Sequence, residues 1–398
     1  MTSTKMQHYN LLDIQQFNDY ITNNNSSDLF TCRQMNKNDS SYTIIYYNKE
    51  QLSNNLYSSV GLLRSIILND KNKLCCFSPP KSIDILDFTE KHPKSDQIVL
   101  EEFVEGTMVN LFWDSTASKW EISTRRSIGG NNGFSFLFNN KPKYNFRDLF
   151  ESTIEKVGFN LDLLDNKYCY SFIFQHPNNR IVLSIEQPKL YLVGVYFITN
   201  YSIECISLDT YKNNEKWKNS GVCYPEIYNY TWDNYENVKD WFGSSKTPIN
   251  ITGVVIRDTN TFDRCKIRNP QYEYVRGLRN NQPNPQYNYL FLRKNSKVSD
   301  YLKYFPEDKI IFQTMRNMVH KFTQELYEKY VSCYIKKEKP LNEYSDHFRT
   351  HMFHLHQLYM NSLKQENKHM NKQTVIGYVN SLDPKLQMYS INYNKQLY

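Results

Sequence analysis

Glu105, Gly106 and Thr107 lie in an apolar, β-branched run from Glu101 to Trp113, and Arg125 and Arg126 lie in a second such run, Trp120 to Ile128. Asp114 to Ser118 between them supplies turn-forming Asp and Ser, so the stretch Glu101 to Gly130 reads as a hairpin. Its pairing would bring an acid, a glycine and two guanidinium groups into one small region, a set suited to holding an anion. Further on, Lys266 and Arg268 alternate within the apolar stretch Cys265 to Arg268 and so share a face of a strand. Between Asn260 and Pro340 there are 16 Lys and Arg against 8 Asp and Glu, an excess of +8 in a chain whose net charge is +7. Tyr272, Tyr274, Tyr287, Tyr289 and Phe291 are interleaved with Arg276, Arg279, Arg293 and Lys294 there. Cations and rings in that mixture suit a nucleic-acid surface with stacking platforms; the competing reading is a solvated helical face. His347, His351 and His354 share one helical face, with His356 nearby. No Cys or carboxylate sits at a spacing that would complete a metal site, so a solvated or aromatic-packed face is the plainer reading and no metal ligands are assigned.

The elements that must position these residues follow from hydrophobic period. At 398 residues, with 40% apolar, 22% charged and 15% aromatic residues, the chain can form one large or two ordinary domains with real cores. No apolar run reaches the roughly 18 residues that span a bilayer, and the start MTSTKMQHYN has no hydrophobic core of a signal, so a soluble, intracellular, cytoplasmic protein is expected. Eight cysteines with no CxxC pair read as reduced thiols. A helix is expected near Leu11 to Ile21 and a strand over Tyr42 to Tyr47. Val60 to Leu68 and Leu74 to Phe77 read as a hairpin turned at Asn69 to Asn72, with Arg64 interrupting the first strand as an edge charge. Phe77 to Ser82 is a rigid turn with prolines at 79 and 80, presenting Lys81. Phe146 to Gly158 has helical spacing. Apolar runs also occur in Tyr170 to Val182, Leu190 to Ile198, Ile251 to Arg257 and Cys265 to Arg268. From Leu278 the period becomes helical: Lys297 to Tyr304, Lys309 to Tyr334, Asp346 to Leu363 and Thr374 to Ser381. The expected organisation is an α+β, antiparallel-sheet domain over residues 1–280 and an all-helical domain over 281–398.

Five ordered segments between about Tyr57 and Leu278 resemble the phage type-1 RNA ligases and their nucleotidyltransferase relatives. Val104-Glu105-Gly106-Thr107 resembles the end of their Lys-x-Asp-Gly strand. Phe174, Pro177, Asn179, Arg180, Ile181 and Val182 resemble a Glu-Phe-x-x-Pro-x-Asn-Arg-Ile-Val segment, and Thr252-Gly253-Val254-Val255 a Glu-Gly-x-Val strand. By phrases such as EEFVEGTM, RNPQYEYVRGLR and SCYIKKEKPL the chain is also similar to a group of large-DNA-virus proteins whose N-terminal half resembles RNA ligase. For such a protein, host cytoplasm or a viral factory is the implied location. The resemblance implies strand, turn and strand over Tyr170 to Val182, a buried strand at Leu190 to Ile198, and two strands, Ile251 to Arg257 and Cys265 to Arg268, closing the sheet. It also implies a nucleotidyltransferase fold, ATP or another nucleotide as ligand, RNA as partner, and a nucleotide site at Arg64, Glu105, Gly106, Arg125, Lys266 and Arg268.

Three groups that the family's chemistry needs are absent. Phe103 stands where the nucleophilic lysine would be, and Ile173 and Thr252 where two carboxylates would be. Adenylyl transfer needs an attacking amine and carboxylates that hold a divalent metal against the phosphates. The cations remain, so the expected function is a degenerate, pseudoenzyme form of the ligase fold that binds nucleotide or nucleic acid. The alternatives are an active nucleotidyltransferase with a relocated lysine, Lys81 or Lys119, or a structural protein of a virus.

Overall fold

A computed structural model describes residues 7–37, 40–131, 144–280 and 284–393. These form two compact units divided between Tyr274 and Val275. The first is built on three sheets among the described residues, in which all but one of the strand pairings are antiparallel. The largest runs in the order His8–Asn10, Ser202–Ile206, Lys189–Thr199, Tyr168–Gln175, Thr107–Asp114, Lys119–Thr124, Ser127–Ile128, with Val222–Cys223 joining Lys189–Thr199 in parallel.

Alternation decides what its faces do. Tyr170, Phe172 and Phe174 are buried on one face with Val109, Leu111, Leu190 and Leu192, under the helix Phe146–Val157, which contributes Leu149 and Phe150. Burying a side chain of this size contributes roughly 1.5–3 kcal/mol each, so this layer fixes the register. The helix starts on an Asn145 capping box and stops at Gly158 in a left-handed conformation. Met108 and Ile173, directly paired, point to the other face.

The small sheet runs Arg264–Arg268, Gly253–Asp258, Ile98–Glu102. Ile98, Leu100, Val254, Ile256, Cys265 and Ile267 pack on Phe88, Val238 and Phe242. The opposite face therefore carries Glu101, Val255 and Lys266 in one register row, with Arg264 and Arg268 two residues to either side of Lys266. A third sheet, Phe30–Lys37, Ser40–Tyr47, Ile66–Asn69 and Leu74–Cys76, contains the hairpin turned at Asn69 to Asn72, where Asn72 adopts φ 56°.

The strands expected to close one sheet form two: Ile173 lies in the large sheet, Val254 in the small one and Val104 in the bridge between them. The chain leaves the small sheet at Glu102 and enters the large one at Thr107, so the run Glu101 to Trp113 is broken at Phe103 to Gly106. Gly106 makes the break: at φ 148° it passes so close to the neighbouring strand that a Cβ would lie 2.5 Å from Ile173 Cγ2 and 2.6 Å from the Phe174 carbonyl oxygen. Arg125 and Arg126 are also displaced from their expected place beside Thr107. The register pairs Asn110 with Ser123, and the chain turns back at Thr124, while Thr107 pairs with Phe174. Arg64 is not on a strand; Val60–Leu62 is a 3-10 turn and the strand begins at Ile66. The Leu63 carbonyl accepts from Tyr47 N–H and the Gly61 carbonyl from Lys81 N–H, which takes these groups out of any regular ladder. The second strand expected within Tyr170 to Val182 is absent as well: Pro177–Asn179 is a 3-10 turn, and pairing resumes at Lys189.

In the second unit, helices Pro285–Lys294, Val298–Tyr304, Lys309–Tyr330, Asp346–Leu358, Lys372–Ser381 and Pro384–Asn392 carry the chain, and no strand occurs among its described residues. Lys309–Tyr330 buries Phe312, Met315, Val319, Phe322, Leu326 and Tyr330, a three-four spacing that defines its core stripe. The preceding helix, Pro270–Arg279, begins directly after the last strand; Asn269 accepts the Gln271 N–H, and Pro270 occupies the position where an N–H would be unpaired. Each histidine of the 347–356 set is engaged by rings or hydroxyls. His347 stacks on Tyr393 with centroids 4.5 Å apart, and His356 on Tyr334 at 3.9 Å. His351 lies 2.8 Å from both Tyr378 Oη and Ser390 Oγ, and burial pushes its pKa down to about 4. Among the described residues no helix is long and apolar enough to cross a membrane.

Candidate phosphate-binding site

Phe103 is the first residue of the bridge between the two sheets, and its backbone carbonyl accepts a hydrogen bond from Thr252 Oγ1. Its ring is covered by cations. Lys266 Nζ lies 4.2 Å from the ring centroid and Arg268 Cζ 5.2 Å, so the position that resembles the ligase lysine is an apolar platform under an ammonium and a guanidinium. Gly253, paired with Arg268, lets the strands approach there: at φ 133° its Cβ would sit 2.2 Å from the Ile267 carbonyl oxygen.

The proline turn organises two more cations. Arg64 Nη1 donates to the Pro79 carbonyl at 3.3 Å and Arg264 Nη2 to the Pro80 carbonyl at 2.8 Å. Because each proline fixes φ, these two oxygens are rigid anchors that preorient both guanidinium groups. Lys81, next in the chain, lies with Nζ 3.9 Å over the Tyr57 ring and donates to the Ser82 carbonyl. Beside these groups, a cavity of about 120 Å³ opens between the two sheets, lined on one side by Lys266, Arg264 and Phe103 and on the other by Met108, Ile173 and Val193.

The cations depress one another. The Lys266 ammonium is held well below its usual range, first by burial and then by Arg264, Arg64, Arg268 and Lys81. Arg64 is lowered to about 10 by burial and by Arg264, and Arg125 adds to the effect. Lys81 is lowered by burial and by Arg64. The acids near the cavity are occupied: Glu101 is paired with Arg257 at 3.1 Å, Glu102 accepts the Glu226 N–H, and burial raises the Glu102 carboxyl. Arg268, the most exposed of the cations on this face, pairs with Glu273 at 2.6 Å.

Of the residues singled out by sequence, Arg64, Lys266 and Arg268 are thus mutual electrostatic neighbours. Arg125 adjoins Arg64 but rests 4.6 Å over the Tyr47 ring, and its Nε and Nη2 are buried without a hydrogen-bond partner. Glu105 is not the acidic neighbour expected for these cations. Its carboxylate accepts from Val182 N–H, Leu183 N–H and, at 2.5 Å, Tyr272 Oη, so it ties the 180–188 loop and the start of the helix Pro270–Arg279 to the bridge. Gly106 permits the strand contact beside it. Lys119 sits exposed at the hairpin tip opposite Asp114. Two of the expected stacking rings are interior: Tyr272 is buried on Glu105, and Tyr289 packs on Phe312 at 5.2 Å. Arg279 lies 5.0 Å over Phe305 and Arg293 donates to Asn380 Oδ1 at 3.0 Å, while Lys294 is exposed.

The chain is 25% identical over 294 residues to the RNA ligase of Rhodothermus phage RM378, a match spanning 65% of this chain and 64% of the ligase. In sequence, it is similar to a phage RNA ligase. The sheets of the first unit are almost wholly antiparallel, and a helical region follows them in the chain. The match spans less than two thirds of the phage ligase's own length. Two solved forms of an archaeal ATP-dependent RNA ligase align with TM-scores of 0.41 and 0.37 at 12% and 11% identity, covering 76% and 72% of this chain and 69% and 67% of theirs. No family model matches the sequence.

Sequence reasoning missed Arg264 as a site residue. The signal was present: Arg264, Lys266 and Arg268 form a period-two cationic row in RCKIR. The carbonyl anchors of the proline turn had no such signal, because they depend on which strand end meets the turn.

Proposed function

We propose that this protein is an RNA ligase-fold binding module whose inter-sheet site holds the phosphates of a nucleotide or nucleic acid without adenylyl transfer. The observation that carries the reading is Phe103 under Lys266 and Arg268: the cations of the site remain, and the residue beneath them has no nucleophile. An amine must reach the α-phosphorus for covalent transfer. Lys119 stands at an exposed hairpin tip, and Lys81 lies over the Tyr57 ring with its ammonium donating to the Ser82 carbonyl.

Arg276, Arg279, Arg293 and Lys294 are proposed as the nucleic-acid contacts of the helical unit. Equilibrium filter binding of a single-stranded RNA, titrated over salt, tests both parts. Neutralising about 4 phosphates gives a slope of log affinity on log salt near −3. Replacing those four residues with Gln is expected to flatten the slope, whereas Arg268→Gln is expected to weaken retention of labelled ATP. An unchanged slope in the four-residue variant would leave the helical contacts without support, and no retention of ATP or RNA by the parent protein would remove the reading itself.

A further inference from the structure

The ligase resemblance implies a divalent metal held by carboxylates, and the residues here do not fit one. The positions in question are Ile173, which packs on Gly106 and lines the cavity, and Thr252, whose hydroxyl is used on the Phe103 carbonyl. Glu101 and Glu102, the carboxylates at the cavity, are committed to Arg257 and to the Glu226 amide. Among the described residues, no group of three or more His, Cys, Asp or Glu is arranged to hold a metal ion. Arg264 and Lys266 line the cavity, Arg268 shares the Phe103 ring with Lys266, and Arg64 and Lys81 also act on Lys266, with Arg64 and Arg264 held in orientation by the Pro79 and Pro80 carbonyls.

Resting on the binding reading above, we propose that these side chains have taken over the charge of the metal, so that the site binds a polyphosphate chain free of divalent cation. A further observation bears on the ligand. The cavity, at about 120 Å³ and lined by Arg264 and Lys266 of this set, is below the roughly 300 Å³ at which pockets begin to enclose a whole small-molecule ligand, so it is too small for a complete nucleotide. A magnesium-complexed polyphosphate presents less negative charge and carries a cation toward five others, so magnesium should compete with the protein for the ligand. The shared chemistry is the polyphosphate; free nucleotide and inorganic chain are its two sources.

Isothermal titration of the full chain with inorganic tripolyphosphate and with ATP, each in EDTA and in excess magnesium, separates the outcomes. Binding of both ligands in EDTA, weakened about tenfold or more by magnesium, is the expected result. Binding that requires magnesium, or is tightened by it, would overturn the inference while leaving the phosphate-binding reading intact. Binding of ATP with none of tripolyphosphate would also overturn it, by showing that the base is what the site reads. Arg268→Gln, at an exposed position that folding tolerates, is expected to weaken both ligands in EDTA and to narrow the difference made by magnesium; an undiminished difference would count against the cation cluster as its source.

Discussion

A variant carrying Lys266→Met and Arg264→Gln should melt at a higher temperature than the parent while binding tripolyphosphate about a hundredfold more weakly. Both effects come from one cause. The pKa of half-buried Lys266 is held well below 10.5, first by desolvation and then by Arg264, Arg64, Arg268 and Lys81. The unfolded chain, with its lysine near 10.5, therefore binds more protons than the folded one over the window between the two values. Stability consequently rises with pH through that window in the parent, and the variant should lose this rise, with its largest gain in melting temperature at the lower pH. Binding reverses the sign. An anion beside Lys266 offsets the repulsion from its cationic neighbours, so the complex takes up a proton and affinity falls as pH rises. A charge-assisted hydrogen bond contributes about 1.5–3 kcal/mol, so removing two such donors accounts for the expected loss of binding. Thermal melting at two pH values, with titration calorimetry in buffers of different ionisation enthalpy, checks the pair; a variant that melts lower and binds equally well would show the cluster to be a structural network.

The second large effect concerns the bridge. Gly106→Ala is expected to destabilise the first unit by about 3 kcal/mol or more, because φ 148° is costly for any residue with a Cβ and that atom would collide with the Phe174 backbone. Glu105→Ala is expected to lose about 2–4 kcal/mol by a different route, leaving two backbone N–H groups and the Tyr272 hydroxyl without their shared acceptor. Urea denaturation measures both. Tyr272→Phe removes a single donor and should lose only about 1 kcal/mol. Losses below about 1 kcal/mol for Gly106→Ala would mean that the bridge relaxes freely and does not set the distance between the sheets.

Local pattern was legible where one period governs a segment. Four helices of the second unit follow from three-four spacing and their breakers, whereas Pro285–Lys294 and Pro384–Asn392 were not legible as helices; Lys266 and Arg268 share a face because strand alternation leaves no other arrangement. The break at Phe103 to Gly106 was not legible as a break. Its residues continue an apolar, β-branched run, and only the close approach of Gly106 to Ile173 and Phe174, where a Cβ would not fit, marks the break. Arg64 and Arg125 illustrate the same limit. Their sequence neighbourhoods read as strands, but backbone bonds from Tyr47 and Lys81 pull the first out of the ladder, and the early turn at Thr124 removes the second from the motif it was expected to face. Tyr272 and Tyr289 looked like exposed rings because cations surround them in sequence; burial on Glu105 and Phe312 is decided by tertiary packing, which charge pattern does not encode.

The central claim is that a ligase-like site holds phosphate without forming a bond to it. Intact-mass spectrometry tests it most directly: the full chain is incubated with ATP, with and without magnesium, under conditions where native binding has been shown, then denatured and weighed. An unchanged mass, with ATP recovered intact, is the expected result. A gain of one nucleoside monophosphate, abolished by replacing Lys266 or Lys81, would contradict it and identify a lysine that has taken over the role left open at Phe103.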